Sequence, residues 1–188
     1  MRHVAAMRGA CTISKADLAD APAIAAIYAH HVRYGVATFE TAAPDAAEIA
    51  ARMRKVADAG WPWLVARDAA GDVTGYAYAA QFRDRAAYGY ACENSIYLRA
   101  DRLGQGIGTA LLHALLEAAE AAGFRQMLAV IAGSEAASVA LHARAGFVEC
   151  GRMTAVGRKH GRWLDVISMQ RALGEGDRTP PPVEPDFA

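Results

Sequence analysis

Three glycines at alternate positions, Gly104, Gly106 and Gly108, separate the short apolar run Ser95-Ile-Tyr-Leu98 from the helical run that begins Ala110-Leu-Leu-His-Ala-Leu-Leu. The first turn of a helix carries N–H groups without intrahelical partners, and the aligned peptide dipoles add a partial positive charge there. Glycines just before such a turn open backbone conformations closed to other residues and leave the amides bare. Strand, glycine turn and helix start together make a seat for phosphate oxygens. Side chains narrow the ligand. A P-loop needs a lysine after its glycines, and none follows here. A dinucleotide fingerprint needs Gly-x-Gly-x-x-Gly and an acidic residue ending the next strand, whereas this chain has Gly-x-Gly-x-Gly and a strand ending Val130-Ile131-Ala132. On the glycines alone, a turn that serves only close packing stays open.

The elements that must hold this turn follow from periodicity. Thr12 to Ser14 is β-prone, and Ile24, Ile27, Tyr28 and His31 recur at helical spacing with Pro22 in a first turn. His30 and His31 are adjacent, about 100° apart on a helix, which favours packing or solvated roles over a shared metal. Val36 to Glu40 reads as a loop or an edge strand. A second helix buries Ile49, Met53 and Val56 and stops at Gly60. Trp63 to Arg67 and Val73 to Gln81 form a hairpin around the turn Asp68 to Asp72. Arg83 to Tyr90 is a connecting loop, and Glu93 to Leu98 a strand. Ile107, Leu111 and Leu115 mark a helix that ends at Gly123, followed by the buried strand Gln126 to Ile131. Strand, helix and strand in that order imply parallel pairing through a right-handed crossover. A helix with Val139, Leu141 and His142 closes at Gly146, and two strands, Val148 to Val156 and Trp163 to Gln170, are joined by the basic turn Gly157 to Arg162.

At 188 residues the chain suits one domain with a full core. We expect a loose N-terminus over 1–11, a folded domain over 12–173 and a Pro-rich tail over 174–188. Twenty basic and twenty acidic residues balance, so nothing points to nucleic acid or an anionic membrane as partner. No apolar run is long enough to span a bilayer and no signal-peptide core is present, which makes a cytoplasmic protein the default. Cys11, Cys92 and Cys150 lack metal or redox spacing. No metal site is expected.

The run Arg102-Leu-Gly-Gln-Gly-Ile-Gly-Thr-Ala-Leu-Leu, followed by Leu141-His-Ala-Arg-Ala-Gly-Phe, resembles the acetyl-CoA-binding core of the GCN5-related N-acetyltransferases (GNAT). The family signature is Gln/Arg-x-x-Gly-x-Gly/Ala. Set on Gly106 and Gly108 it finds Leu103 at the Gln/Arg position, and set on Gly104 and Gly106 it finds Asp101. Phe39-Glu40, Trp63-Leu-Val-Ala66, Gly75-Tyr-Ala-Tyr78, Arg85-Ala-Ala-Tyr88, Glu93-Asn-Ser-Ile-Tyr-Leu98, Val130-Ile131 and Lys159-His-Gly-x-Trp163-x-Asp165-Val166 are similar to the phosphinothricin N-acetyltransferase branch, over about Ile13 to Leu173. The resemblance implies a mixed α/β fold, a central, mostly antiparallel sheet flanked by helices and split beside the glycine loop. It implies acetyl-CoA as co-substrate, a small amine as acceptor and a homodimer. It places acetyl-CoA on Ile96, Tyr97 and Leu98, on Leu103, Gly104, Gln105, Gly106, Ile107, Gly108 and Thr109, and on Glu135 and Ser138. Glu135 stands where relatives carry an asparagine; a carboxylate accepts from an amide but cannot donate to its carbonyl, and Ser134 or Ser138 could compensate.

Acyl transfer to an amine needs a proton acceptor, an oxyanion donor and a proton for the leaving thiolate. Glu93, between Cys92 and an apolar run, is the candidate base because partial burial raises a carboxyl pKa; a surface ion pair is the bland alternative. The resemblance puts an oxyanion amide at Tyr97 or Leu98. His142 stands where many family members carry tyrosine, and reads as an acid, a substrate contact or a packed core residue. For the substrate the resemblance points to Phe39, Glu40, Arg85, Tyr88, Ser95, Lys159 and His160, with Arg85 able to hold a carboxylate or phosphinate bidentately. Attack would be direct, since no cysteine has a nucleophile's setting. Two rivals stand: a non-catalytic acyl-CoA-binding module, and an enzyme with another acceptor such as a protein N-terminus or an aminoglycoside.

Overall fold

The structure, a computed structural model, describes residues 11–133 and 135–184. The expected loose N-terminal residues 1–10, Ser134 and the tail's last four residues lie outside the described residues. Seven strands form one sheet in the order β1-β2-β3-β4-β5-β7-β6. They are β1 (Thr12–Lys15), β2 (Trp63–Arg67), β3 (Val73–Gln81), β4 (Ala91–Leu98), β5 (Gln126–Ala132), β6 (Val148–Lys159) and β7 (Arg162–Ala172), with helices α1 (Ala21–Tyr34), α2 (Ala46–Asp58), α3 (Ile107–Ala121) and α4 (Ala136–Arg144). Every neighbouring pair is antiparallel except β4 and β5. That exception is the strand–helix–strand crossover through α3, as the sequence implied, and the whole is a mixed α/β fold with a mostly antiparallel sheet flanked by helices, as the resemblance leads one to expect.

Two apolar layers clamp the sheet. On one face α1 and α2 bury Ile24, Ile27, Tyr28, Val32, Ile49 and Met53 against Trp63, Val65 and Tyr76. On the other, Leu111, Leu112 and Leu115 of α3 pack with Cys92, Met127, Phe147 and Met169. Truncating one of those leucines would cost about 2–5 kcal/mol, a large fraction of a domain's stability. Asp45 caps α2 by accepting from the Glu48 amide at 2.8 Å, and Gly123, at φ 94°, terminates α3.

Several boundaries differ from the sequence reading. β4 begins two residues before Glu93, while of the two readings for Val36 to Glu40 the loop is the one observed. The segment Arg83 to Tyr90 includes a 3-10 turn at Ala86–Tyr88. The largest difference is at the basic turn. β6 continues to Lys159 and β7 starts at Arg162, so the turn is only His160-Gly161, both left-handed at φ 49° and 73°. Two-residue hairpin turns of that handedness match the twist of the flanking strands. Past β7 the tail runs irregularly over the surface, with Arg125 donating to the Gly176 carbonyl and to Thr179 at 3.3 and 3.1 Å.

Candidate active site

The parallel ladder between β4 and β5 runs from Ala91 opposite Gln126 to Asn94 opposite Ala129 and then stops. β4 nevertheless stays paired to β3 as far as Leu98, and β5 to β7 as far as Ala132. The two strands therefore part after Asn94, and a cleft of about 880 Å³ opens from the fork. Its walls are the freed segments of both strands, the glycine loop, the cleft-facing side of α4 and the end of α1 with the loop that follows.

The glycine loop meets its sequence expectation geometrically. Gly104 and Gly106 sit at φ 74° and 80°, the left-handed region that costs other residues about 1–2 kcal/mol. Gly106 is the N-cap of α3 with no side-chain cap, and the helix's first turn holds no acidic residue, so its free amides and positive end stay available. Leu103, Gly104, Gly106, Gly108 and Thr109 line the cleft. The Gln105 and Ile107 side chains instead border a separate cavity of about 320 Å³ with Cys11, Asp68, Thr74 and Arg102. Only their backbone can serve a ligand in the cleft. Ile96, Tyr97, Leu98, Glu135 and Ser138 all line it. Glu135 is exposed at the start of α4 and caps nothing with its side chain.

Side chains alternate along β4. Tyr97 joins the layer under α1 and α2 while Cys92, Ile96 and Leu98 join the layer under α3, so Glu93 and Ser95 share the first face and Asn94 the second. Glu93 is half-buried opposite Ala80 and Leu128, neither of which offers a side-chain donor, and burial holds its carboxyl above the ordinary range. His142 is buried, only 4% exposed. Its Nδ1 lies 2.8 Å from the Ser138 carbonyl oxygen and its Nε2 3.0 Å from Asn94 Oδ1, with Phe147 edge-on at 5.0 Å. Burial lowers its pKa and the Ser138 carbonyl opposes that. Glu93 and His142 thus reach the fork from opposite faces of the sheet.

The substrate candidates divide. Phe39 and Ser95 line the cleft. The Phe39 ring lies over Gly157, where any side-chain carbon would come within 2.1 Å of it. Glu40 is engaged within the protein, accepting from Arg52 at 2.8 Å and from the Tyr28 hydroxyl at 3.0 Å. Lys159, expected on an exposed turn, is buried and donates to the Thr38 carbonyl at 2.7 Å. The longer β6 explains this correction: it carries Lys159 inward and leaves His160 at the tip, exposed, 3.2 Å from the Gly35 carbonyl oxygen. Arg85 and Tyr88 sit on the β3–β4 loop outside the cleft wall, both exposed. The Gln81 side chain donates to the Arg85 carbonyl at 3.0 Å, and Tyr88 meets Phe82 edge-on.

Sequence reasoning missed Asn94 and did not single out His31 as a cleft residue. The alternation of β4 marks the first as a polar residue on an apolar face, but its partner His142 lies 48 residues further on and leaves no local signature. His31 lines the cleft with Nε2 2.7 Å from the Leu98 carbonyl oxygen, a long-range contact without a local signature. Among the described residues no cluster of His, Cys, Asp or Glu could hold a metal, and no helix is long and apolar enough to cross a membrane.

A sheet split at a parallel pair beside a glycine-rich helix start, with a half-buried carboxyl at the fork, fits the class of acyl-CoA-dependent acyltransferases. The acetyltransferase (GNAT) domain model matches residues 13–168, and the chain belongs to that family. It is 49% identical over 176 residues to the phosphinothricin N-acetyltransferase of Alcaligenes faecalis, covering 93% of this chain and 88% of that one. With the L-methionine sulfoximine/L-methionine sulfone acetyltransferase of Pseudomonas aeruginosa PAO1 it shares 43% identity over 162 residues, 86% of this chain and 94% of the other. Among solved structures, a GNAT superfamily phosphinothricin acetyltransferase from Sinorhizobium meliloti in complex with acetyl-CoA superposes with a TM-score of 0.91. It is 48% identical, covering 95% of this chain and 97% of that one.

Proposed function

We propose that this enzyme transfers acetyl from acetyl-CoA to the α-amine of a small amino acid of the phosphinothricin, methionine sulfoximine or methionine sulfone type. The observation that carries the mechanism is the fork itself, where a half-buried carboxyl without a side-chain hydrogen-bond partner among the described residues borders a cleft floored by free helix-start amides. Acetyl-CoA supplies the activated thioester. The amides from Gly104 to Thr109 hold its phosphates, and the freed segment Ile96 to Leu98 lies along its arm.

An amine with a pKa of about 10 arrives protonated at neutral pH. Glu93, held above the usual carboxylate range, accepts that proton directly or through water. An amide of Tyr97 or Leu98, freed from β5, steadies the oxyanion. His142, in its imidazolium form, is our candidate for returning a proton to the thiolate. Attack is direct: Cys92 is fully buried, with its thiol pushed up to about 12, Cys11 borders the separate cavity, and Cys150 lies on the edge strand β6. Arg85, exposed and without a hydrogen-bond partner for its guanidinium among the described residues, is our candidate for the substrate's anionic groups, and Tyr88, Phe39, Ser95 and His160 are further candidates for substrate contact.

Thiol release from acetyl-CoA, measured across phosphinothricin, methionine sulfoximine, methionine sulfone and an aminoglycoside, tests the reading. We expect turnover with the first three, and turnover with the aminoglycoside alone would overturn it. Arg85→Ala should raise the KM for these amino acids about tenfold, the worth of one charge-assisted contact; an unchanged KM moves the anion site elsewhere.

A homodimer is part of the same proposal. β6 is an edge strand exposed over most of its length, with Val148, Met153 and Val156 between 49% and 71% exposed and Trp163 beside it at 65%. An edge this apolar invites a partner. Cys11, Cys92 and Cys150 are all free, the state a reducing compartment maintains, so we place the enzyme in the cytoplasm.

A further inference from the structure

Asn94 occupies the last paired position of β4 before the fork and is 7% exposed. Its amide nitrogen donates to the Leu128 carbonyl on β5 at 3.0 Å, which leaves Oδ1 facing His142 Nε2 at 3.0 Å. Rotating the amide would set Oδ1 against the Leu128 oxygen, so the acceptor stays turned toward the histidine. One side chain therefore ties β4, β5 and α4 together where the strands part.

A neutral imidazole has one N–H and one lone pair, and its partners decide which nitrogen holds the proton. With the proton on Nε2, the ring donates to Asn94, and the Nδ1 lone pair has the Ser138 hydroxyl at 3.5 Å as a donor but also faces the Ser138 carbonyl oxygen at 2.8 Å. With the proton on Nδ1, the Ser138 carbonyl accepts it at 2.8 Å, but Nε2 then turns a lone pair on Asn94 Oδ1. The two arrangements compete across one ring, and Asn94 tips them: the Ser138 carbonyl already accepts the His142 backbone amide within α4, whereas the buried Asn94 Oδ1 has no other donor among the described residues. A charged ring would use both oxygens.

We infer that Asn94 is a positioning residue: oriented by the Leu128 carbonyl, it holds a proton on Nε2 of His142, the ring atom directed at the fork. The charged groups on the packed elements do not compete for this duty. Glu93 extends from the other face of β4, Glu135 and Arg144 lie at the two ends of α4, and the Arg171 guanidinium from β7 donates to the Ala145 carbonyl. The inference deepens the reading of His142 as proton donor and is tested separately from it.

The experiment is a pH titration of the imidazole nitrogens by NMR on ¹⁵N-histidine protein without substrate, the His142 signal assigned by its loss in His142→Gln. In the parent we expect the proton on Nε2. Asn94→Asp should keep it there and raise the titration midpoint by about one unit or more, since an adjacent opposite charge favours the charged ring. Asn94→Leu should move the proton to Nδ1 and lower the midpoint. If the leucine variant fails to fold, the aspartate variant decides alone. A parent proton on Nδ1, or a midpoint that Asp leaves in place, overturns the inference. Should the midpoint move while the basic limb of kcat/KM does not, the Asn94 assignment stands and the donor role of His142 falls.

Discussion

The two faces of β4 treat their titratable groups in opposite ways. Glu93, on the face under α1 and α2, is half-buried with no side-chain donor opposite it, so burial alone sets its titration. His142, reaching Asn94 on the other face, is more deeply buried yet has an oxygen beside each ring nitrogen. Burial pushes both towards neutrality, the carboxyl by raising its pKa and the imidazole by lowering it. A carboxyl without partners can take up a proton and release it at little structural cost. A ring engaged on both sides gives up a proton only by breaking a contact. The comparison makes Glu93 the mobile proton site and His142 the anchored one.

The largest test of that contrast is Glu93→Gln. Removing the mobile site should lower kcat about 10²–10⁴-fold, the usual worth of a positioned general base, and flatten the acidic limb of the pH–rate profile. Acetyl-CoA affinity should hold, since the amide seat lies elsewhere. Full turnover with an intact acidic limb would transfer the role to another group. A smaller effect separates seat from chemistry. Gly106→Ala places a side chain at φ 80°, and the strain of about 1–2 kcal/mol should raise the acetyl-CoA KM roughly 5–30-fold with kcat unchanged. A drop in kcat instead would mean that the loop positions the thioester as well as the phosphates.

How much of this was readable beforehand depends on how local each cause is. The glycine loop was legible because left-handed backbone and a helix start leave their mark in adjacent residues, Gly104 to Thr109. The partial burial of Glu93 was legible from the apolar strand around it. The parallel pair and the crossover followed from strand, helix and strand in order. Lys159 was misplaced because six polar or glycine residues in a row look like a turn, whereas pairing with β7 extends the strand through Gly157, Arg158 and Lys159. Glu40 was read as a ligand contact, yet Arg52 and Tyr28, far off in sequence, engage it. Asn94 acquires its meaning only when α4 is laid across the fork, a relation between Asn94 and His142 that no spacing encodes.

The finest consequence of the contrast concerns stability. A carboxyl whose pKa is raised on folding binds its proton more tightly in the folded chain. Its contribution is fully present below the unfolded carboxyl pKa of about 4.3 and is lost as pH rises through the folded value, because the charged form must then sit in a half-buried place. Glu93→Gln removes that charge and nothing that holds the fold together. The variant should therefore match the parent's Tm near pH 4 and exceed it at pH 8 by a few degrees at most, the scale on which about 1 kcal/mol registers in a domain of this length. Paired thermal melts at the two pH values make the check. If Glu93→Gln is instead the less stable protein at pH 8, the carboxylate has a stabilising partner in solution, and the asymmetry between the two faces of β4 disappears.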